Sequence, residues 1–184
     1  AFDNKTGKLT FLNEQSSNGD HPCYVNVDQT GQWVIVGNYS TGNITGYRIL
    51  EDGSLSNAWE TAQHRGNGPN KKRQNAAHVH STVFSPDNMW LMVPDLGIDK
   101  IMVYGFSPRT GYLALSQENE VKMEPGSGPR HFEFHKNGKW AYLVQELSGT
   151  VTVFDYKNGK LTSKQTISTL PDGYDQSFTS ADIH

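Results

Sequence analysis

Two short motifs recur in phase along this chain, and their repetition constrains the fold more than any single residue does. The first is a tight turn followed by leucine: Lys5-Thr6-Gly7-Lys8-Leu9, Glu51-Asp52-Gly53-Ser54-Leu55, Arg109-Thr110-Gly111-Tyr112-Leu113 and Lys157-Asn158-Gly159-Lys160-Leu161, with the glycines 46, 58 and 48 residues apart. Glycine supplies the positive φ that such hairpin turns need. The second pairs a short alternating segment with an apolar run opened by tryptophan. Its copies are His21-Pro22-Cys23-Tyr24-Val25 with Trp33-Val34-Ile35-Val36, His80-Ser81-Thr82-Val83-Phe84 with Trp90-Leu91-Met92-Val93, and His131-Phe132-Glu133-Phe134-His135 with Trp140-Ala141-Tyr142-Leu143. These tryptophans stand 57 and 50 residues apart, and Ala181-Asp182-Ile183-His184 resembles the start of a further copy.

Each unit reads as four strands. The first alternates, and the second is almost wholly apolar, as expected of a strand covered on both faces. The third mixes β-branched and aromatic residues, and the fourth, after the Gly-x-Leu turn, is polar and suits an outer edge. No segment carries a 3.6-residue apolar period. Four-stranded units of about 40–50 residues predict an all-β fold, a β-propeller of antiparallel blades, with units at approximately 21–77, 78–127 and 128–180. The 184 residues therefore hold about three blades plus parts of two. The expectation is a partial propeller domain over 1–184 whose remaining half lies outside this sequence. Trp33, Trp90 and Trp140, at fixed positions in the unit, are expected to be packing residues and not a ligand box. The polar stretch from Gln63 to Ala77, with Lys71-Lys72-Arg73, reads as a long solvated loop, with gating of a binding mouth as the alternative.

Propeller geometry also says where chemistry would collect. The first strand of each blade lines the central channel and runs antiparallel to the second, so the start of one and the end of the other share a face. At the starts stand His21, His78, His80, Arg130, His131 and His184; at the ends stand Asn38, Asp95 and Glu146. Asn38 and Asp95 lie five residues beyond their tryptophans and Glu146 lies six beyond, so a bulge is expected to re-aim it inward. Imidazoles, a guanidinium and carboxylates around one mouth suit acid–base chemistry on a small anionic substrate. His78-x-His80 also has the period-2 spacing of two metal ligands on one strand, but with no cysteine to assist, the third ligand would have to be Asp95 or Glu146.

Charge and composition exclude other classes. Lys plus Arg number 16 against 19 Asp plus Glu, a net charge of −3, which leaves no basic surplus for a nucleic-acid backbone. No apolar run approaches the ~20 residues of a membrane helix. Cys23 is the single cysteine, so no internal disulfide is possible and a cytoplasmic setting is expected.

Several of these segments together resemble a known family. His21-Pro22-Cys23-Tyr24-Val25, Ala77-His78-Val79-His80-Ser81, Val93-Pro94-Asp95-Leu96-Gly97, Gly128-Pro129-Arg130-His131-Phe132, Glu146-Leu147-Ser148 and Ser180-Ala181-Asp182-Ile183-His184 are similar to the lactonase family of seven-bladed propellers. That family includes a bacterial type of 6-phosphogluconolactonase and fungal 3-carboxy-cis,cis-muconate lactonizing enzymes. The resemblance implies a lactone-handling enzyme that needs neither metal nor other cofactor and takes a small anionic lactone. It implies a catalytic Arg130, a catalytic Glu146 and a catalytic histidine at His80, with His78 as the competing choice. His21, His78, Asp95, His131 and His184 would then contact the substrate. Lactone hydrolysis and the cyclising direction share this machinery, and hydrolysis of 6-phosphogluconolactone is the favoured expectation. A metal-dependent propeller lactonase and a non-catalytic interaction platform are the competing classes.

Overall fold

A computed structural model describes all residues, 1–184. Thirteen strands form three separate antiparallel sheets. The first is β1 (Pro22–Val27), β2 (Trp33–Asn38), β3 (Asn43–Arg48) and β4 (Glu60–Gln63), paired in that order. The second is β5 (Val83–Phe84), β6 (Trp90–Asp95), β7 (Lys100–Phe106) and β8 (Leu113–Leu115), with β9 (Val121–Lys122) on the far half of β7. The third is β10 (Pro129–Phe134), β11 (Trp140–Gln145), β12 (Thr150–Lys157) and β13 (Lys160–Ser168). Sequence order equals spatial order in each, the meander of a propeller blade. The polar fourth strand of the middle blade differs from expectation. A single 3-10 turn, Gln117–Asn119, splits it into β8 and β9.

The core lies between blades, not within them. Side chains alternate along β6: Leu91 and Val93 join Trp33, Ile35 and Ile44 of the first blade, while Met92 joins Phe132, Leu143 and Phe154 of the third. A strand covered on both faces must be apolar at every position, which is why the second strand of each unit carries no polar alternation.

The two repeated motifs are two halves of one contact. Gly111, in the turn of the second blade, sits on the ring of Trp33 in the first; Gly159, in the turn of the third, sits on the ring of Trp90 in the second. Both glycines have positive φ, +76° and +80°. A Cβ at either would overlap the indole. The Trp33 indole N–H also donates to the Pro108 carbonyl at 2.8 Å, so the tryptophan reads the neighbouring turn by both shape and hydrogen bond. Trp33 is 6% exposed, whereas Trp140, on which no turn glycine rests, is 38% exposed. Asn88 adds a polar tie between the first two blades, donating to Asp28 Oδ2 at 2.9 Å and accepting from the Gln29 backbone N–H at 3.1 Å.

Gly159→Ala therefore combines a left-handed backbone that alanine disfavours with a clash on Trp90. The expected loss is about 2–4 kcal/mol, read as a fall in the unfolding midpoint of the intact protein. An unchanged midpoint would show that the glycine does not lock the blades.

Candidate active site

The first strand of every blade carries one extra residue near its start. In β1, Pro22 faces Asn38 and Tyr24 faces Gly37, which leaves Cys23 unmatched. In β10, Pro129 faces Gln145 and Phe132 faces Leu143, so Arg130 and His131 together oppose Val144. In the middle blade the Val79–Asp95 bridge and the Val83–Met92 pair leave one extra residue among His80, Ser81 and Thr82. The bulge expected beside Glu146 is thus on the facing strand. A bulge re-aims the side chains around it, and here those are His80, Arg130 and His131.

This register regroups the strand ends. The residue five beyond each tryptophan is Asn38, Asp95 and Gln145, each paired to the start of the first strand or its bridge. The next residue is Tyr39, Leu96 and Glu146, whose backbone N–H groups donate to the carbonyls of His21, His78 and Gly128 at 3.0, 2.9 and 2.8 Å. Glu146 therefore belongs with Tyr39, not with Asp95. Asp95 was expected at the channel mouth, but the fold does not bring it there. It is fully buried, its Oδ1 accepts from the N–H groups of His78 (2.7 Å) and Gly97 (2.9 Å), and its Oδ2 meets His64 Nδ1 at 2.7 Å. His64 Nε2 in turn meets the Tyr104 hydroxyl at 2.9 Å, so Asp95 anchors the loop and strand start behind the site.

Glu146 is the centre of the polar cluster. Its side chain is 4% exposed and faces three cationic or titratable groups. Arg73 Nη2 donates to Oε1 at 2.5 Å, and Arg130 Nη1 donates to Oε2 at 2.7 Å. His80 Nε2 stands 3.6 Å from Oε2, too long for a direct hydrogen bond. Burial alone would push the Glu146 carboxyl up, but the hydrogen bonds and charges of Arg73 and Arg130 outweigh it and hold it below its ordinary value. His80 is pushed down to about 4, first by burial and then by the Arg130 charge, so it is neutral at pH 7. Its ring is edge-on to Tyr39 and to His131, with centroids 5.2 and 5.4 Å away.

The remaining expected residues spread around this centre. His78 stacks on Tyr39 at 4.6 Å, with Nδ1 on the Tyr39 carbonyl at 3.0 Å and Nε2 beside Asn75 Oδ1 at 3.2 Å. Of the pair His78-x-His80, His80 is the one facing Glu146. The two imidazoles have different partners, and no trio of His, Cys, Asp or Glu is grouped to hold a metal ion. His131 Nδ1 pairs with Asp182. His184 reaches the same carboxylate at 2.9 Å, and Arg130 Nε donates to the Ala181 carbonyl. The hydrogen bond from His131 leads the causes that hold Asp182 down to about 2. His21 lies at the rim, exposed, bonded to Ser40 Oγ at 2.8 Å. Cys23 is an exposed residue whose Sγ is tucked near the Val79 carbonyl at 3.4 Å; that desolvation pushes its thiol up to about 11 and keeps it protonated.

Three participants escaped the sequence reading. The 63–77 stretch is the expected loop with most of its residues exposed, but it is also anchored: His64 and Gln74 within it are buried, and Arg73 reaches Glu146. Tyr39 holds Arg73 from the other side, accepting from Nη2 at 3.3 Å, and that bond heads the causes raising the Arg73 pKa. Asp99 ties the arginine-bearing segments together. Its Oδ1 accepts from Gln74 Nε2 at 2.7 Å and Gly128 N–H at 2.9 Å; its Oδ2 accepts from Gly126 N–H at 2.7 Å. One buried carboxylate thus fixes the neighbour of Arg73 and the loop that leads into Arg130. Asp99 has φ +53°, where the equivalent positions in the flanking blades hold Gly42 and Gly149, both at +62°. A glycine is what the backbone asks for there, so the carboxyl is the detectable signal.

Three antiparallel meander sheets, with an Arg–Glu–Arg cluster and an imidazole beside it near the starts of their first strands, define a β-propeller fold that carries a polar cluster between its blades. The comparisons with known proteins narrow this class. The family described as Lactonase, 7-bladed beta-propeller matches residues 1–184, and the chain belongs to that family. It is 36% identical over 185 residues to a protein of Bacillus subtilis named 6-phosphogluconolactonase, covering 100% of this chain and 52% of the relative. It is 34% identical over 184 residues to a protein of the same name from Formosa agariphila, again covering 100% and 52%. The structure of a periplasmic gluconolactonase from Pseudomonas aeruginosa superposes with TM-score 0.89 at 37% identity, covering 95% of this chain and 49% of that one. The chain spans about half the length of the curated relatives it matches.

Asp99→Gly keeps the backbone conformation and removes three charge-assisted hydrogen bonds. The expected outcome is a loss of about 2–4 kcal/mol in denaturant unfolding, with weaker binding of anions at the site. A variant as stable as the parent would show that the carboxylate is not the anchor.

Proposed function

We propose that the protein opens a small anionic sugar-acid lactone by hydrolysis, with 6-phosphogluconolactone as its substrate. The observation that carries this reading is the buried Glu146 between two guanidinium groups, with the neutral His80 Nε2 3.6 Å from its Oε2. That spacing suits one water donating to both the imidazole lone pair and the carboxylate. The water oxygen attacks the lactone carbonyl carbon, and His80 takes its proton, with the Glu146 charge stabilising the imidazolium that forms. Arg130, whose Nη2 has no partner within the chain, donates to the developing oxyanion. The ring C–O bond breaks, the leaving alkoxide takes the proton from His80, and the product is a hydroxy-carboxylate, with one proton released to water. The names of the Bacillus subtilis and Formosa agariphila relatives support the substrate. No metal or other cofactor has a part in this scheme. A seven-bladed ring would supply the far wall of the pocket. The single cysteine supports a cytoplasmic setting; no helix is long and apolar enough to cross a membrane.

Initial rates of 6-phosphogluconolactone hydrolysis, corrected for the spontaneous reaction, test the roles. His80→Gln is expected to lower kcat/KM by about 10²–10⁴-fold, and Arg130→Ala by about 10²–10³-fold. Unchanged rates in both would overturn the assignment. The pH profile has a definite sign. Protonation of His80 removes the base, so kcat/KM should be flat from about pH 5.5 to neutrality and fall with unit slope below about pH 4. A profile falling instead between pH 6 and 7 would exclude His80 as the base.

A further inference from the structure

We propose that Arg73 is the residue that reads the phosphate of the substrate, and that a phosphate taken there draws the guanidinium off Glu146 and releases the carboxylate to the water it shares with His80. This rests on the lactonase reading and adds what decides between phosphorylated and neutral lactones. The relatives make that a real choice, because one structural relative is named a gluconolactonase and the sequence relatives are named 6-phosphogluconolactonases.

Mobility and access distinguish the two arginines. Arg130 is fixed at two points, by the Ala181 carbonyl and by Glu146 Oε2. Arg73 is held by Nη2 alone, through Glu146 Oε1 and the Tyr39 hydroxyl, so its Nε and Nη1 have no partner within the chain. Its side chain is 37% exposed, against 4% for the glutamate beneath it. Arg130 is 23% exposed, so Arg73 is the more open of the two guanidinium groups to an arriving dianion. The chain beside this arginine is anchored by its neighbour. Gln74 is fully buried and bonds the Leu96 carbonyl at 2.9 Å, Asp99 at 2.7 Å and the Asn70 N–H at 3.0 Å. An anchored backbone with two unpaired guanidinium nitrogens leaves donors available for a planar, bidentate contact with an anion.

Charge gives the exchange its direction. Arg73, Arg130 and Glu146 sum to one positive charge with His80 neutral, and a phosphate monoester dianion offers Arg73 more charge and more acceptor oxygens than one carboxylate oxygen does. Glu146 then keeps only Arg130. A carboxylate that has lost one of two neighbouring cations binds a proton more readily, and the same change favours the imidazolium of His80. A neutral lactone provides no such exchange and leaves Glu146 doubly quenched.

Hydrolysis of glucono-δ-lactone and of its 6-phosphate by the intact protein tests this, with phosphite dianion supplied separately. The parent should prefer the phosphorylated lactone, and phosphite should accelerate the neutral one by about tenfold above the protein-free reaction. In Arg73→Gln the phosphorylated-to-neutral ratio of kcat/KM should fall by about 10–100-fold, the equivalent of one charged hydrogen-bonded contact, and phosphite activation should vanish. An equal loss on both lactones, or phosphite activation that survives in Arg73→Gln, overturns the inference. If the parent hydrolyses neither lactone, the lactonase reading fails separately. Calorimetric titration with 6-phosphogluconate then decides: at least tenfold weaker binding in Arg73→Gln sustains the phosphate site, and equal binding, or none to the parent, removes it.

Discussion

Apolar packing between neighbouring sheets is the constraint on which the rest of this structure depends. No blade has an interior of its own; Leu91 and Met92, adjacent in β6, serve two different cores on opposite faces of one sheet. Such a stack needs a device that sets spacing and register, and the glycine turn seated on the preceding tryptophan provides one. The contact is tight enough that neither partner can change size alone. It recurs once per blade junction, which explains why glycine and tryptophan keep step along the sequence.

Because the apolar faces are used between blades, the channel-facing ends of the inner strands are left for polar groups. The bulge at the start of each first strand uses this freedom. In β10 it brings the adjacent Arg130 and His131 to bear on Glu146 and Asp182, which strict alternation would send to opposite faces. The site therefore depends on a backbone irregularity repeated by the fold, with different side chains installed in each copy.

The repeats made the blades, their strand order and the packing role of Trp33 and Trp90 legible in the sequence, because hydrophobic pattern and turn chemistry are local; Trp140 is exposed. The site was legible only in outline. His80, Arg130 and Glu146 could be named from position in the unit and from family resemblance, but Asp95 was grouped with Glu146 because counting from tryptophan cannot show which strand carries the bulge. Arg73 was hidden for a different reason. Its segment is polar, glycine-rich and without period, and what holds it is the burial of His64 and Gln74 against residues 20 to 40 positions away. Such long-range polar pairing leaves no periodic trace.

Asp99 shows how a repeated fold acquires a particular chemistry. The turn before the third strand requires a left-handed residue in every blade, and glycine fills it twice. Aspartate is among the few side chains that tolerate this conformation, so the middle blade can place a carboxylate at a structural position without rebuilding the turn. Once buried there, that carboxylate needs donors, and it finds them in Gln74, Gly126 and Gly128. Satisfying one buried charge thereby ties two separate segments to each other. Those segments carry Arg73 and lead into Arg130, and both guanidinium groups close on Glu146. The second buried carboxylate is paired with two arginines, and the first anchors the chain next to Arg73 and the loop that leads into Arg130.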